Sequence, residues 1–181
     1  MKTIITLLVG LLFTFSLNAK PMFQPPDDVA KKGAITYCAT IDNPPRAFAD
    51  ASGNFQGFEI DLGVEIGNRL GLEVKWEQMK FSGLIASLSG QICDAIVQEL
   101  FIKPTRVEVI DMIPFGYSAQ SIVVNASNNE SINGPADLSG LKVAVPNGTT
   151  IHNILIETNE SLSSGGKTPI DIVILEATTD S

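Results

Sequence analysis

The fold of this chain is decided by residues 81–124, which read FSGLIASLSGQICDAIVQELFIKPTRVEVIDMIPFGYSAQSIVV. The stretch predicts a helix, a short buried strand, a turn opened by Pro104 and a second apolar strand. This succession places Arg106 just beyond the carboxyl end of a strand, where open α/β sheets bind their ligands. Because a guanidinium fits a carboxylate with two parallel hydrogen bonds, we expect Arg106 to hold a small anion.

Strands and helices alternate on both sides of this stretch. The predicted strands are residues 34–40, 72–76, 92–97, 141–145 and 170–175. The predicted helices are residues 58–70, 84–88 and 150–157. Strands separated by helices imply parallel crossovers, so we predict an α/β fold with helices flanking mainly parallel sheets.

The first long helix carries two acidic residues, Glu59 and Asp61, in its first turn. An apolar row repeating every four residues from Phe58 to Leu70 is expected to face the core. That arrangement points both carboxylates outward, where they complement the helix dipole. We therefore reject them as a catalytic pair.

The amino terminus, residues 1–19, has the pattern of a cleaved signal peptide, with Lys2 before an apolar run that is too short to span a membrane. We expect export to the periplasm and no membrane insertion after cleavage. The formal net charge is −8. An acidic chain without a basic cluster argues against nucleic acid as a partner. No cofactor or metal site is predicted.

Three segments together resemble the family 3 bacterial solute-binding proteins, the periplasmic receptors for polar amino acids. Besides residues 81–124, they are residues 57–62 (GFEIDL), and residues 138–145 (LSGLKVAV) followed by the GTT turn at 148–150. The resemblance implies a type II periplasmic-binding-protein fold with two lobes.

The resemblance also implies a division of the chain. After the signal peptide, residues 20–33 form a leader and residues 34–120 form lobe 1. Residues 121–181 contain the hinge crossing and part of lobe 2. Because family members continue through further strands, the resemblance implies that lobe 2 is incomplete and that the chain is truncated at its carboxyl end.

Ligand contacts are implied at two places. Arg106, in the turn KPTR, matches the arginine that clamps the ligand's α-carboxylate in the family. Gly148, Thr149 and Thr150 match the contact from the second lobe. A hydroxyl and free backbone N–H groups at a helix start suit a carboxylate, although the same residues also fit a plain N-cap.

The chain departs from the family pattern around this site. Glu99 and Phe101 stand where small or hydroxyl residues usually precede the turn, and Asn43 replaces an aromatic lid. The family's acidic partner of the ligand ammonium aligns with Thr40, with Asp42 close by.

Two interpretations of Glu99 follow. It binds the ligand's cation while Phe101 supplies the lost aromatic surface, or it pairs with Arg106 because an unpaired buried carboxylate is costly. The sequence leaves this choice open. The family's next two residues, Phe-Glu, are replaced here by Arg46 and Ala47.

The two cysteines, Cys38 and Cys93, both fall in predicted strands. Cys38 lies near the carboxyl end of one strand and Cys93 near the amino end of its neighbour. A disulfide needs Cα atoms within ~7 Å, which this offset is expected to exceed. We therefore predict two buried free thiols.

The leading hypothesis is a periplasmic protein that binds a small carboxylate-bearing solute, such as an amino acid or its derivative, for an ABC importer. It is not expected to be an enzyme. The alternatives are an enzyme on the same scaffold, similar to cyclohexadienyl dehydratases, and the sensing domain of a membrane receptor or murein transglycosylase.

Overall fold

The computed structural model describes residues 21–127 and 131–175. The predicted signal peptide, residues 1–19, lies outside the described residues, as do residues 128–130 and the last six residues of the segment predicted to contain the hinge crossing and part of lobe 2. The strands are β1 (Ala34–Ala39), β2 (Asp42–Asn43), β3 (Ala47–Ala49), β4 (Phe55–Gln56), β5 (Glu73–Gln78), β6 (Ala95–Ile96), β7 (Lys142–Pro146) and β8 (Asp171–Leu175). The helices are α1 (Asp27–Lys32), α2 (Phe58–Leu70), α3 (Leu84–Ser89), α4 (Pro104–Val107) and α5 (Thr150–Ser164).

The first sheet is parallel and has the order β5-β1-β6. Its central strand is almost completely buried, which fits a strand covered on both faces. Tyr37 from this strand packs with Val97 and with Val29 of α1 in the core. The parallel order confirms the predicted crossovers. It also brings the carboxyl ends of β1 and β6 to one edge of the sheet.

Helix α2 forms where it was predicted and ends at Gly71 in the left-handed conformation. Its buried face differs from the prediction, because Gly63 and Gly67 are buried whereas Phe58 and Ile66 of the apolar row are exposed and Leu62 and Leu70 are only half-buried against the core. A Cβ at Gly63 would lie 2.6 Å from the ring of Trp76, and one at Gly67 would overlap Val74. The two glycines therefore let the helix backbone lie against β5.

The observed orientation of α2 also overturns the expectation that Glu59 points outward. Glu59 is fully buried, whereas Asp61 is exposed, as predicted. Phe58, from the predicted core row, is 46% exposed. The apolar periodicity located the helix correctly but placed its buried face one residue away from the observed one.

The second sheet pairs β7 with β8 in parallel, and α5 packs against it. Helix α5 extends to Ser164, seven residues beyond the prediction. The core between this sheet and α5 contains five buried apolar residues: Leu138, Val145, Leu155, Leu162 and Ile170. Between β1 and α2, strands β2, β3 and β4 form a small antiparallel sheet.

Two predicted strands differ from the observed structure. The predicted strand at residues 92–97 shortens to Ala95–Ile96, and the second apolar strand within residues 107–124 does not form. Ile113 and Val123 are 87% and 91% exposed. Apolar residues become a strand only where a neighbouring strand pairs with them, and none of the described strands pairs with this segment.

The prediction of two free thiols is wrong, because Cys38 and Cys93 form a disulfide. Their Cα atoms lie 5.6 Å apart, within the range that a disulfide requires. The predicted offset assumed an extended strand from residue 92. Instead, Gln91 adopts a positive φ of 59°, and Cys93 precedes the observed strand β6. The turn brings Cys93 toward the carboxyl-terminal half of β1.

Within residues 21–127 and 131–175, no helix has the length and apolar character that crossing a bilayer requires.

Candidate functional site

A cleft of about 320 Å³ opens between the carboxyl ends of the first sheet and the start of α5. Both halves of the chain contribute to its walls, which contain charged, hydroxyl, amide and aromatic side chains. The lining residues are Thr40, Asp42, Asn43, Arg46, Phe81, Gln98, Glu99, Phe101, Ser118, Ala119, Gln120, Ser121, Pro146, Asn147, Thr149, Thr150 and Ile151.

Five of the seven residues predicted to contact a ligand line this cleft: Asn43, Glu99, Phe101, Thr149 and Thr150. The other two, Arg106 and Gly148, lie outside the lining, where Arg106 contacts both Gly148 and the cleft residue Phe101. The structure therefore brings the predicted set together around one cavity. Whether they bind a ligand remains a prediction.

Arg106 is buried, with 8% of its surface exposed. Its Nη1 donates to the carbonyl oxygen of Phe101 at 2.8 Å, and its Nη2 donates to that of Gly148 at 3.4 Å. The guanidinium also lies 5.7 Å from the centroid of the Phe81 ring. Burial lowers the pKa of Arg106 from its usual value, although an arginine side chain stays protonated in proteins. The Gly148 contact is long and joins the two halves of the chain.

The start of α5 serves as a helix cap. Thr149 Oγ1 accepts a hydrogen bond from the backbone N–H of His152 at 3.2 Å and donates to the carbonyl of Pro146 at 2.9 Å. The backbone N–H of Gly148 donates to Nδ1 of His152 at 3.4 Å, so this N–H group is not free. Thr150 differs, because its Oγ1 is buried and has no hydrogen-bond partner among the described residues.

Glu99 forms its ion pair with Arg46, whose Nε lies 2.8 Å from Oε2 of the glutamate. Arg106 instead donates hydrogen bonds to two backbone carbonyls, those of Phe101 and Gly148. The structure therefore pairs Glu99 with Arg46 and not with Arg106. The sequence analysis noted Arg46 only as a departure from the family pattern. Both partners line the cleft and keep about a fifth of their side chains exposed.

Arg46 also approaches Glu59, with Nη1 at 3.5 Å from Oε1. Burial raises the pKa of Glu59 to about 7, and the Arg46 guanidinium opposes part of that rise. The second carboxyl oxygen of Glu59 is buried without a hydrogen-bond partner among the described residues. The rejection of Glu59 and Asp61 as a catalytic pair assumed that both carboxylates point outward, which the structure corrects for Glu59.

The sequence analysis missed Gln98 and the segment from Ser118 to Ser121. The side-chain oxygen of Gln98 accepts hydrogen bonds from both the backbone N–H and the hydroxyl of Thr40, at 2.9 and 3.1 Å. These bonds tie the carboxyl end of β1 to the segment that follows β6. Gln98 precedes Glu99 in the sequence, so its polarity beside a buried strand was an available signal. Ser118 contacts Arg46 from a segment without periodicity, which gave no signal.

Metal chemistry receives no support from the arrangement of side chains. In the part of the chain that the structure describes, no group of three or more His, Cys, Asp or Glu residues is placed to hold a metal ion.

Comparison with known proteins identifies the family. Residues 35–169 match the bacterial extracellular solute-binding proteins, family 3. The chain belongs to this family. The match includes strands β1 to β7 apart from Ala34, helix α5 and every described residue that lines the cleft, and it ends before β8.

Two relatives from Escherichia coli illustrate the similarity. The L-cystine-binding protein TcyJ is 30% identical over 122 residues, which are 67% of this chain and 46% of the relative. The lysine/arginine/ornithine-binding periplasmic protein is 32% identical over 146 residues, 81% of this chain and 52% of the relative. The chain spans about half the length of these curated relatives.

Solved structures agree with the fold. A mutant of ArgBP from T. maritima superimposes with a TM-score of 0.76 at 33% identity, covering 85% of this chain and 64% of the other. The ancestral amino acid-binding protein AncCDT-1, a precursor of cyclohexadienyl dehydratase, matches with a TM-score of 0.76 at 27% identity, covering 85% and 66%. The predicted type II α/β fold is confirmed. The curated relatives are binding proteins, in agreement with the expectation of a non-enzymatic role.

Proposed function

We propose that this protein captures a small carboxylate-bearing solute, an amino acid or a derivative, in the periplasm and delivers it to an ABC importer. The observation that carries the proposal is a cleft of about 320 Å³ whose walls come from both halves of a family 3 chain and are rich in polar groups. That volume lies at the lower end of the range for small-molecule sites, as an amino acid requires.

Arg106 is proposed to bind the carboxylate at the border of the cleft. Its 3.4 Å bond to the Gly148 carbonyl is the weaker of its two hydrogen bonds. A ligand carboxylate that replaces this carbonyl would gain a charge-assisted bond, which is about twice as strong as a neutral one. The buried hydroxyl of Thr150, which has no hydrogen-bond partner among the described residues, is proposed as a second contact for the same anion at the start of α5, where Thr150 lines the cleft.

Titration calorimetry on the complete product of the gene tests this proposal. We expect at least one amino acid from a panel of the twenty common ones, with cystine and ornithine added, to bind and raise the melting temperature. The decarboxylated amine of the same compound is the matched control and should not bind, because Arg106 then loses its acceptor. If no member of the panel binds, or if amine and amino acid bind equally, the proposal is wrong.

Export is tested separately. Mass spectrometry of the protein released by osmotic shock should give a mature amino terminus near residue 20. Retention of the protein in the cytoplasmic fraction with an intact amino terminus would contradict the periplasmic assignment.

A further inference from the structure

One guanidinium lies between two carboxylates at the wall of the cleft. Arg46 donates from Nε to Glu99 at 2.8 Å, approaches Glu59 at 3.5 Å through Nη1, and donates from Nη2 to Ser118 at 3.3 Å. Its guanidinium carbon also lies 5.2 Å from the centroid of the Phe58 ring. The strong contact is therefore the one with the partly exposed Glu99, while the contact with the buried Glu59 is long.

The backbone of Arg46 is held by hydrogen bonds, whereas its side chain lines the cleft and is 22% exposed. The backbone N–H of Arg46 donates to Asn43 at 2.8 Å, and its carbonyl accepts from the N–H of Glu59 at 3.0 Å. Gly57, with φ of 119°, allows this carbonyl to approach the start of α2, since a Cβ there would overlap it. The Cα position is thus held at the start of α2, within side-chain reach of both carboxylates.

The charges around Arg46 do not balance. With both glutamates ionised, the three side chains carry one net negative charge. Oε2 of Glu59 is buried and has no hydrogen-bond partner among the described residues, which is costly for a charged carboxylate. Glu59 would therefore be better satisfied if Arg46 moved closer to it, and Glu99 would then lose its cation.

We propose that Arg46 is a resident cation that occupies the subsite of Glu99, and that the cationic side chain of the ligand binds there by displacing Arg46 toward Glu59. This proposal rests on the proposed function and extends it to a ligand class, amino acids with a guanidinium or ammonium side chain. Glu99 contacts the ligand, and Glu59 acts as a positioning residue that receives the displaced guanidinium. A neutral side chain gains nothing at this subsite, because it cannot replace the charge that Glu99 gives up.

L-arginine and L-citrulline are the appropriate probes, because they have nearly the same shape and differ in side-chain charge. In the wild-type protein we expect arginine to bind more tightly than citrulline. Arg46→Gln removes the resident competitor and should tighten arginine binding by about tenfold while leaving citrulline within about twofold. Glu99→Gln should reduce arginine binding to the level of citrulline.

Glu59→Gln should have the opposite effect to Arg46→Gln. Because the displaced guanidinium then lacks an anionic acceptor, arginine binding should weaken by about tenfold with citrulline unchanged. Arg69→Gln is the matched control, since Arg69 pairs with Glu65 on the exposed surface of α2 and should alter neither ligand. A thermal melt of each variant establishes that it is folded.

The pH dependence separates positioning from a merely structural role. The charged groups that act on Glu59 are Arg46, from the loop between β2 and β3, and Glu99, from the segment after β6. Since the displaced Arg46 needs an ionised Glu59, the affinity for arginine should rise between about pH 6 and pH 8 in the wild type. It should be flat in Glu59→Gln.

The proposal is overturned if Arg46→Gln weakens arginine binding, if the two ligands bind wild type equally, or if only other amino acids bind. Each of these results leaves the proposed function standing. Absence of binding by every amino acid in the panel overturns both.

Discussion

Glu59→Gln is expected to remove a pH dependence of folding stability. Burial raises the pKa of Glu59 from its ordinary value of 4.5 to about 7 in the folded protein. Below about pH 4.5 the carboxyl group is protonated in both the folded and the unfolded chain. Between about pH 4.5 and pH 7 the folded state binds the additional proton, so the free energy of unfolding falls as the pH rises. Above about pH 7 this dependence ends.

The magnitude follows from the pKa difference. At 1.36 kcal/mol for each pKa unit, the wild type should lose about 3 kcal/mol of stability across this range. For a chain of this size, that loss corresponds to a melting temperature lower by roughly 6–12 °C. Glutamine has nearly the shape of protonated glutamate and no titratable group. The variant should therefore match the wild type at pH 5 and exceed it at pH 8.

Urea denaturation of both proteins at half-unit steps from pH 5 to pH 8 measures this effect. Glu65→Gln provides the matched control, because Glu65 lies on the same helix, pairs with Arg69 and has 54% of its side chain exposed. Its stability curve should run parallel to that of the wild type. If the curve for Glu59→Gln also runs parallel to the wild type, the reasoning about burial is refuted.

Three further predictions concern the cleft and its supports. Arg106→Ala should cost about 2–5 kcal/mol of ligand binding, and Arg106→Lys should also weaken it because a point charge lacks the fork of donors; near-native affinity of either variant by calorimetry would contradict the assignment. Reduction of the Cys38–Cys93 disulfide, which closes a loop with a sequence separation of 55, should lower the free energy of unfolding by about 4 kcal/mol. An unchanged urea midpoint in protein shown to be fully reduced by thiol labelling would disprove this. Gly57→Ala should destabilise by at least about 2 kcal/mol, because its Cβ overlaps the Arg46 carbonyl at a positive φ. Gly53→Ala shares the positive φ but has open space around it, so equal losses in the two variants would show that the overlap contributes nothing.

Local patterns predicted the elements of the fold well. The positions of β1, α2, α3, β7 and α5 follow from periodicity and from glycine or threonine at helix ends, which are properties of neighbouring residues. The buried face of α2 could not be obtained in this way. It depends on Gly63 lying against Trp76, a contact across 13 positions of the chain that a local pattern does not encode.

The candidate site was predicted in part for the same reason. Arg106 was proposed because it follows a predicted strand and resembles the family's carboxylate clamp, and Thr150 because it matches the family's second-lobe contact. Glu99 was singled out as a departure from the family pattern. Arg46 was noted only as a departure, and Glu59 was rejected as a catalytic residue, because their importance arises from each other. A buried glutamate is recognisable only once the helix orientation is known, and its arginine lies 13 residues earlier in an irregular loop.

The contact between Gly63 and Trp76 has an evolutionary consequence. Because the indole ring occupies the volume that a Cβ at residue 63 would need, these two positions do not vary independently. A lineage that gains a methyl group at residue 63 must shorten residue 76 in the same step or pass through a destabilised ancestor. Gly67 and Val74 impose a second constraint of the same kind one turn further along the helix. We therefore expect substitutions at the contact between α2 and β5 to occur in pairs, whereas residues on the exposed face of α2 can vary independently of each other.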